Sequence, residues 1–189
     1  MKKILPTLML LGVAAFALMM VNIGNGTARG DDDFERRAQI GLRIAPLPLN
    51  LEGRDVELVG YGSYLVNAMV DCNGCHSIQE YATGGDPFLG QPKRIDATDY
   101  LRGGRQIPAD TGQMVTSRNI RPELPSGLPA SKTFAQFSAV FRHGIDFDNP
   151  GQILQVMPWP TFQNMTHDDI RAIYEYLSAL PPATALGGG

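Results

Sequence analysis

Residues 71–77 read DCNGCHS, and Cys72 and Cys75 are the only cysteines in a chain of 189 residues. Two thiols three apart, with His76 directly after the second, suit three chemistries: a redox disulfide, a zinc site, or covalent attachment of haem. A redox dithiol normally sits in a βαβ pattern, but here helical periodicity leads into the cysteines and no such pattern is visible. Structural zinc needs four ligands. Only His76, His143 and His167 could complete that set, without a recognised spacing. C-x-x-C-H, by contrast, is the attachment signature for c-type haem. Two thiols on one turn can reach both vinyl groups along one porphyrin edge. The next side chain then swings beneath the ring to ligate iron.

Upstream of this motif the pattern is helical from Asp55, with Leu58, Tyr61, Gly62, Leu65 and Met69 falling on one face. Downstream, residues 78–132 are too long for a structureless loop. Within them GGRQIPADTGQMVTSRN (103–119) predicts two short strands turning at Asp110-Thr111-Gly112. Thr133 and Gln136 form a capping box that opens a helix burying Phe134, Phe137 and Phe141 and stopping at Gly144. Thr166 and Asp169 form another, opening a last helix striped with Ile170, Ile173, Tyr174 and Leu177, which Pro181-Pro182 ends.

A second axial ligand for iron must come from elsewhere. In QVMPWPTFQNMT (155–166), Met157 stands in a Pro-rich loop, where its side chain can be aimed at a cofactor without helical constraint. Met165 precedes a helix cap, the place of a hydrophobic staple. His143 lies at a helix end, where it suits the dipole, and His167 lies in an exposed first turn. Met157 is preferred as ligand, with Met165, His143 and an open site as alternatives. Trp159, the single tryptophan, packs either beside the haem or in the ordinary core. Arg105 and Arg118 match propionate carboxylates in geometry, although surface exposure is the better explanation of each alone.

Hydrophobic residues make up 43% and charged residues 19%, as in a soluble domain with tails. The formal net charge of -3 offers no basic stripe for nucleic acid. Met1-Lys2-Lys3, the apolar run Ile4–Val21 and the small residues Gly26-Thr27-Ala28 read as a secretory signal. A retained anchor with membrane association through residues 4–21 is the alternative. Cleavage after Ala28 would remove two lysines and take the charge to -5. Pro46 and Pro48 then predict an extended arm over 41–54.

The order helix, CxxCH, long loop, helix, Met-Pro loop and C-terminal amphipathic helix resembles a class I cytochrome c. TSRNIRPE (116–123), TFAQFSAVFRHGID (133–146) and MPWPTFQNMTHDDIRAIYEYLSALP (157–181) resemble the cytochrome subunits of periplasmic alcohol, aldehyde and sugar-acid dehydrogenases. Those subunits usually carry several haems, whereas this chain has one CxxCH and corresponds to a single module. The resemblance implies that Cys72 and Cys75 form thioethers, that His76 is the proximal ligand and that Met157 is the distal one. It also implies that the first and last helices cross near Gly62 and Tyr174. It gives Asn119 a hydrogen bond to a propionate or to the ligand loop, against the simpler role of a turn asparagine.

The expected fold is thus all-α: a cytochrome c-like helical domain around one covalent haem, with a long loop carrying a short β-hairpin. The expected order is a signal peptide or anchor (1–28), an extended arm (29–54), the cytochrome c domain (55–182) and a disordered tail (183–189). The expected function is single-electron transfer with His/Met ligation, between a redox donor and acceptor in the periplasm, one of them a dehydrogenase or a respiratory-chain protein. Such a protein is not itself an enzyme. The competing functions, a peroxidase-like haem enzyme and a gas-binding sensor, both require five-coordinate iron.

Overall fold

The computed structural model describes residues 30–122, 129, 132–149 and 151–182. The proposed signal or anchor segment and the tail 183–189 lie outside the described residues. Two units divide the chain, 1–36 and 37–189. In the first, residues 30–36 are helical and Arg36 pairs with Asp33 at 2.7 Å. All that follows concerns the second.

Residues 37–44 form helix α1, which corrects the extended arm expected over 29–54. Pro46 ends this helix instead of preventing it, because a proline excludes α geometry chiefly at the residue before it. Beyond residue 44 the chain has no regular structure until Asp55, whose side chain accepts from the Leu58 N–H and caps α2 (Val56–Tyr64). A π-helical turn, Leu65–Val70, follows without a break and ends at Asp71 in left-handed geometry (φ 54°). Next come α3 (Cys72–His76), a 3-10 turn (Pro87–Leu89), and the antiparallel strands β1 (Gln106–Pro108) and β2 (Met114–Thr116). Ile107 faces Val115 in their register. The expected hairpin is therefore present, with its turn between Ala109 and Gln113. Helices α4 (Phe134–His143), α5 (Trp159–Phe162) and α6 (His167–Ala179) complete the unit. The described chain is thus mostly helical with one small sheet, which is compatible with a cytochrome c-like helical fold.

Two close approaches organise the helices. A Cβ on Gly62 of α2 would lie 1.9 Å from the Ala172 carbonyl oxygen of α6 and 2.8 Å from Tyr176 Cβ. Only hydrogen fits there. The crossing thus lies at Ala172 and Tyr176, which corrects the expected partner Tyr174. Tyr174 turns away to pack its ring edgewise on Phe134 and Phe137 and to donate to the Lys132 carbonyl at 3.0 Å. Likewise, a Cβ on Gly41 of α1 would meet the Gly60 carbonyl oxygen at 1.9 Å, and Ser63 Oγ donates to the Gly41 carbonyl at 2.7 Å. Alternating small residues therefore let α2 pack against one helix at Gly60 and another at Gly62.

This two-sided packing also alters the expected apolar stripe of α2. Val59, Gly62, Ser63 and Val66 are buried, while Met69 is 64% exposed. The π turn adds backbone between Leu65 and Val70 and rotates Met69 off the buried face. In α4, Phe137 and Phe141 are buried and Phe134 is half-buried. In α6, Ile170, Ile173 and Leu177 are buried as expected. Each such apolar side chain contributes roughly 1.5–3 kcal/mol by leaving water. Both capping boxes form, Thr133 with Gln136 and Thr166 with Asp169. Asp169 also accepts from Tyr61 Oη at 2.8 Å, tying α2 to the start of α6.

A polar cluster lies among these helices. Tyr100 Oη donates to Asn67 Oδ1 at 2.6 Å and lies 2.8 Å from Tyr176 Oη. Asn67 Nδ2 donates in turn to the Ser63 carbonyl at 2.9 Å and to Tyr176 Oη at 3.2 Å. Every buried hydroxyl in it is satisfied, so the cluster adds directional restraint without an unpaired polar group.

Candidate haem-binding site

The motif's own backbone is fixed from three directions. Ser77 Oγ donates to Asn73 Oδ1 at 2.5 Å and accepts from the Leu101 N–H at 2.9 Å, closing the turn that carries both cysteines. The His76 carbonyl accepts from the Gly103 N–H at 2.6 Å. Arg105 reaches across with Nε to the Ser77 carbonyl at 2.8 Å and with Nη2 to the Ile78 carbonyl at 3.3 Å. Arg105 is therefore an internal tie of the long loop to the motif, not the exposed cation its sequence suggests.

His76 is oriented through its ring. Nδ1 lies 2.7 Å from the Arg118 carbonyl oxygen, so the proton belongs on Nδ1 and Nε2 keeps its lone pair. Burial lowers the imidazole pKa, opposed by that hydrogen bond, and so favours the neutral form that can ligate a metal. Desolvation, reinforced by Asp71 and Cys75, pushes the Cys72 thiol up to about 12. That is the reverse of the acidic thiol that a redox dithiol uses for attack. Cys72 and Cys75 are not joined to each other in a disulfide. Among the described residues no three His, Cys, Asp or Glu side chains group as a metal-ion site.

Cys72, Cys75 and His76 border a cavity of about 240 Å³. Its walls are Ile107 and Val115 of the hairpin, Phe137, Val140 and Phe141 of α4, Phe162 of α5, and Ile173 and Leu177 of α6. Met157 lines the same cavity, together with Leu154, Val156 and Pro158. The alternatives to Met157 lie elsewhere. Met165 packs against the core without lining the cavity. His143 is exposed, and exposed His167 sets its ring edgewise to Phe134 at 5.1 Å. Two thiols, a neutral imidazole and a thioether around an apolar cavity form a donor set that fits a covalently attached haem.

The remaining candidates support loops. Trp159 packs on Gly144, where a Cβ would lie 2.4 Å from the indole nitrogen, and Nε1 donates to the Leu154 carbonyl at 3.1 Å. Gly144 also ends α4 in left-handed geometry (φ 64°), which a residue with Cβ adopts only under strain. Asn119 Oδ1 accepts from the Arg121 N–H at 2.9 Å in the manner of an Asx turn. Neither Trp159 nor Asn119 lines the cavity. Arg118 does line it, and its guanidinium pairs with Asp148 at 2.5 Å and Asp146 at 3.3 Å. The Arg118 carbonyl was invisible to sequence reading because any residue would supply it.

The chain is 32% identical over 122 residues to the cytochrome c subunit of a quinone-type alcohol dehydrogenase from Gluconacetobacter polyoxogenes, covering 65% of this chain and 22% of that protein. It is 29% identical over 119 residues to the gluconate 2-dehydrogenase cytochrome c subunit of Pantoea cypripedii, covering 63% and 22%. The chain is thus similar, at about 30% identity, to part of proteins named as cytochrome c subunits of dehydrogenases. It is also 27% identical over 154 residues to a subunit of nicotinate dehydrogenase from Pseudomonas putida, covering 77% of this chain and 11% of that one. The chain thus spans about a fifth or less of the length of these relatives. No protein-family model matches it.

Proposed function

We propose that this chain is a monohaem electron carrier. Cys72 and Cys75 would hold the haem through thioethers, and His76 Nε2 and the Met157 sulfur would ligate its iron. The observation that carries this reading is the meeting of the CxxCH turn and Met157 at one apolar cavity, although they are about eighty residues apart in sequence. When bound, haem supplies a one-electron couple, and a thioether ligand favours the reduced state relative to a second imidazole. The chain contributes the rest. The Arg118 carbonyl holds the His76 tautomer, and the phenylalanines of α4 exclude water. Trp159 and Asn119 brace the loops that present Met157 and the Arg118 carbonyl.

The names of the relatives support a dehydrogenase as redox partner, and the leader-like first residues support export to the periplasm. With His76 and Met157 both held to the iron no position would be left for a substrate, so the chain would pass electrons without being an enzyme itself. Covalent attachment is the decisive test. Protein made in a host with an active c-type maturation system should keep its haem colour on denaturing gels and after acid-acetone extraction, and Cys72→Ala/Cys75→Ala should lose it. Colourless unaltered protein from such a host would overturn this reading.

A further inference from the structure

The haem reading leaves one arrangement unexplained: Arg118 reaches both sides of the cavity with different atoms. Its backbone carbonyl accepts from His76 Nδ1 at 2.7 Å. Its side chain crosses to Asp146 and Asp148, on the turn that follows α4. That turn returns on itself through an antiparallel bridge between Ile145 and Ile153 and a Leu154 N–H bond to the Gly144 carbonyl. Met157 lies three residues beyond Leu154, whose carbonyl accepts from Trp159 Nε1 and so fastens the base of the turn. We propose that Arg118 is a two-ended clasp that couples the His76 side to the Met157 side and so sets how readily Met157 leaves the iron.

The chemistry favours a clasp over an incidental surface pair. The side chains of Arg118 and Asp146 are only 28% and 18% exposed, so their attraction is screened less than that of open surface charges. One guanidinium holding two carboxylates can keep one bond while the other breaks, and the planar fork fixes direction as well as distance. Asp146 Oδ1 also accepts from the Asp148 N–H at 2.9 Å, so the acceptor is itself held in place. The segment bearing Arg118 is anchored independently by the Ile120 N–H on the Leu101 carbonyl at 3.0 Å. Loss of the guanidinium should therefore release the Met157 turn while leaving His76 held.

The proposal rests on Met157 being a ligand, and the test separates the two ideas. Imidazole is titrated into the oxidised holoprotein and binding is followed in the visible spectrum. An external ligand binds only where Met157 has left, so apparent affinity scales with the population of the open state. Coupling between interacting groups of this kind predicts tighter imidazole binding in Arg118→Gln by roughly three- to thirtyfold. Arg118→Lys should recover part of the difference, and Asp146→Asn should reproduce part of it. Imidazole affinity unchanged in both Arg118→Gln and Asp146→Asn would overturn the clasp while leaving the ligand assignment intact. Should Arg118→Gln fail to mature, Asp146→Asn and Asp148→Asn decide alone, since neither alters the residue that holds His76. If Met157→Ala itself leaves imidazole binding unchanged, the ligand assignment fails first and the clasp with it.

Discussion

At the scale of single residues, the site divides into what side chains announce and what backbone atoms provide. Cys72, Cys75 and His76 are legible because their chemistry depends on spacing within one turn. Met157 is legible more weakly, through its loop setting beside Pro158. Of the side chains considered for the distal position, it alone lines the cavity. The acceptor for His76 Nδ1 is a carbonyl, which no sequence pattern marks. Replacing Met157 by Ala should abolish the weak long-wavelength band of methionine-ligated ferric haem and open the iron to carbon monoxide. It should also lower the reduction potential by more than about 59 mV, equivalent to roughly 1.4 kcal/mol for one electron. Visible spectra and redox titration check all three effects, with Met165→Ala as the comparison that leaves them unchanged. An intact band and potential in Met157→Ala would move the ligand to another residue.

At the scale of elements, local signals with a strict geometry are readable and long-range ones are not. The capping boxes at Thr133 and Thr166 and the turn at Asp110-Thr111-Gly112 lie within a few residues of what they specify. Helix α1 is hidden by Pro46 and Pro48, whose influence does not reach back far enough to unwind it, although Ala38 and Gly41 sit one turn apart on its buried face. The crossing at Gly62 is legible, but its partner lies two residues from the expected one, since Tyr174 and Tyr176 both belong to a helix buried on more than one side. The geometry makes Gly62→Ala a sharp test. Its Cβ would overlap the backbone of α6, which no side-chain rotation relieves, so destabilisation of roughly 3 kcal/mol is expected. That corresponds to about 6–12 °C in melting temperature for a chain of this size. Gly53→Ala, where φ is 69° and nothing lies within 4 Å of the new Cβ, should cost only about 1–2 kcal/mol of backbone strain. Thermal melts showing equal losses in the two variants would mean that α2 and α6 do not meet at Gly62.

At the scale of the whole molecule, packing places several phenols where their ionisation would oppose the fold. Burial, followed by the hydrogen bond to and the charge of Asp169, raises Tyr61 to about 12. Burial also raises Tyr100 and Tyr176, which share the polar cluster with Asn67. Above the ordinary phenol value of 10.0 the unfolded chain releases these protons while the folded chain retains them. Stability therefore falls as pH rises through that window. The Tyr61 contribution is complete below about pH 10 and is lost towards pH 12. The Cys72 thiol would add a loss in the same direction, but not once its sulfur is a thioether. Holoprotein should consequently show a nearly flat melting temperature up to about pH 10 and a decline beyond it. Tyr61→Phe should make that decline shallower without removing it, because Tyr100 and Tyr176 still titrate. Its stability at neutral pH should drop by about 1 kcal/mol through loss of the bond to Asp169. Melting curves collected across the alkaline range decide the matter: identical slopes for the two proteins would show that the Tyr61–Asp169 tie does not couple α2 to α6 in solution.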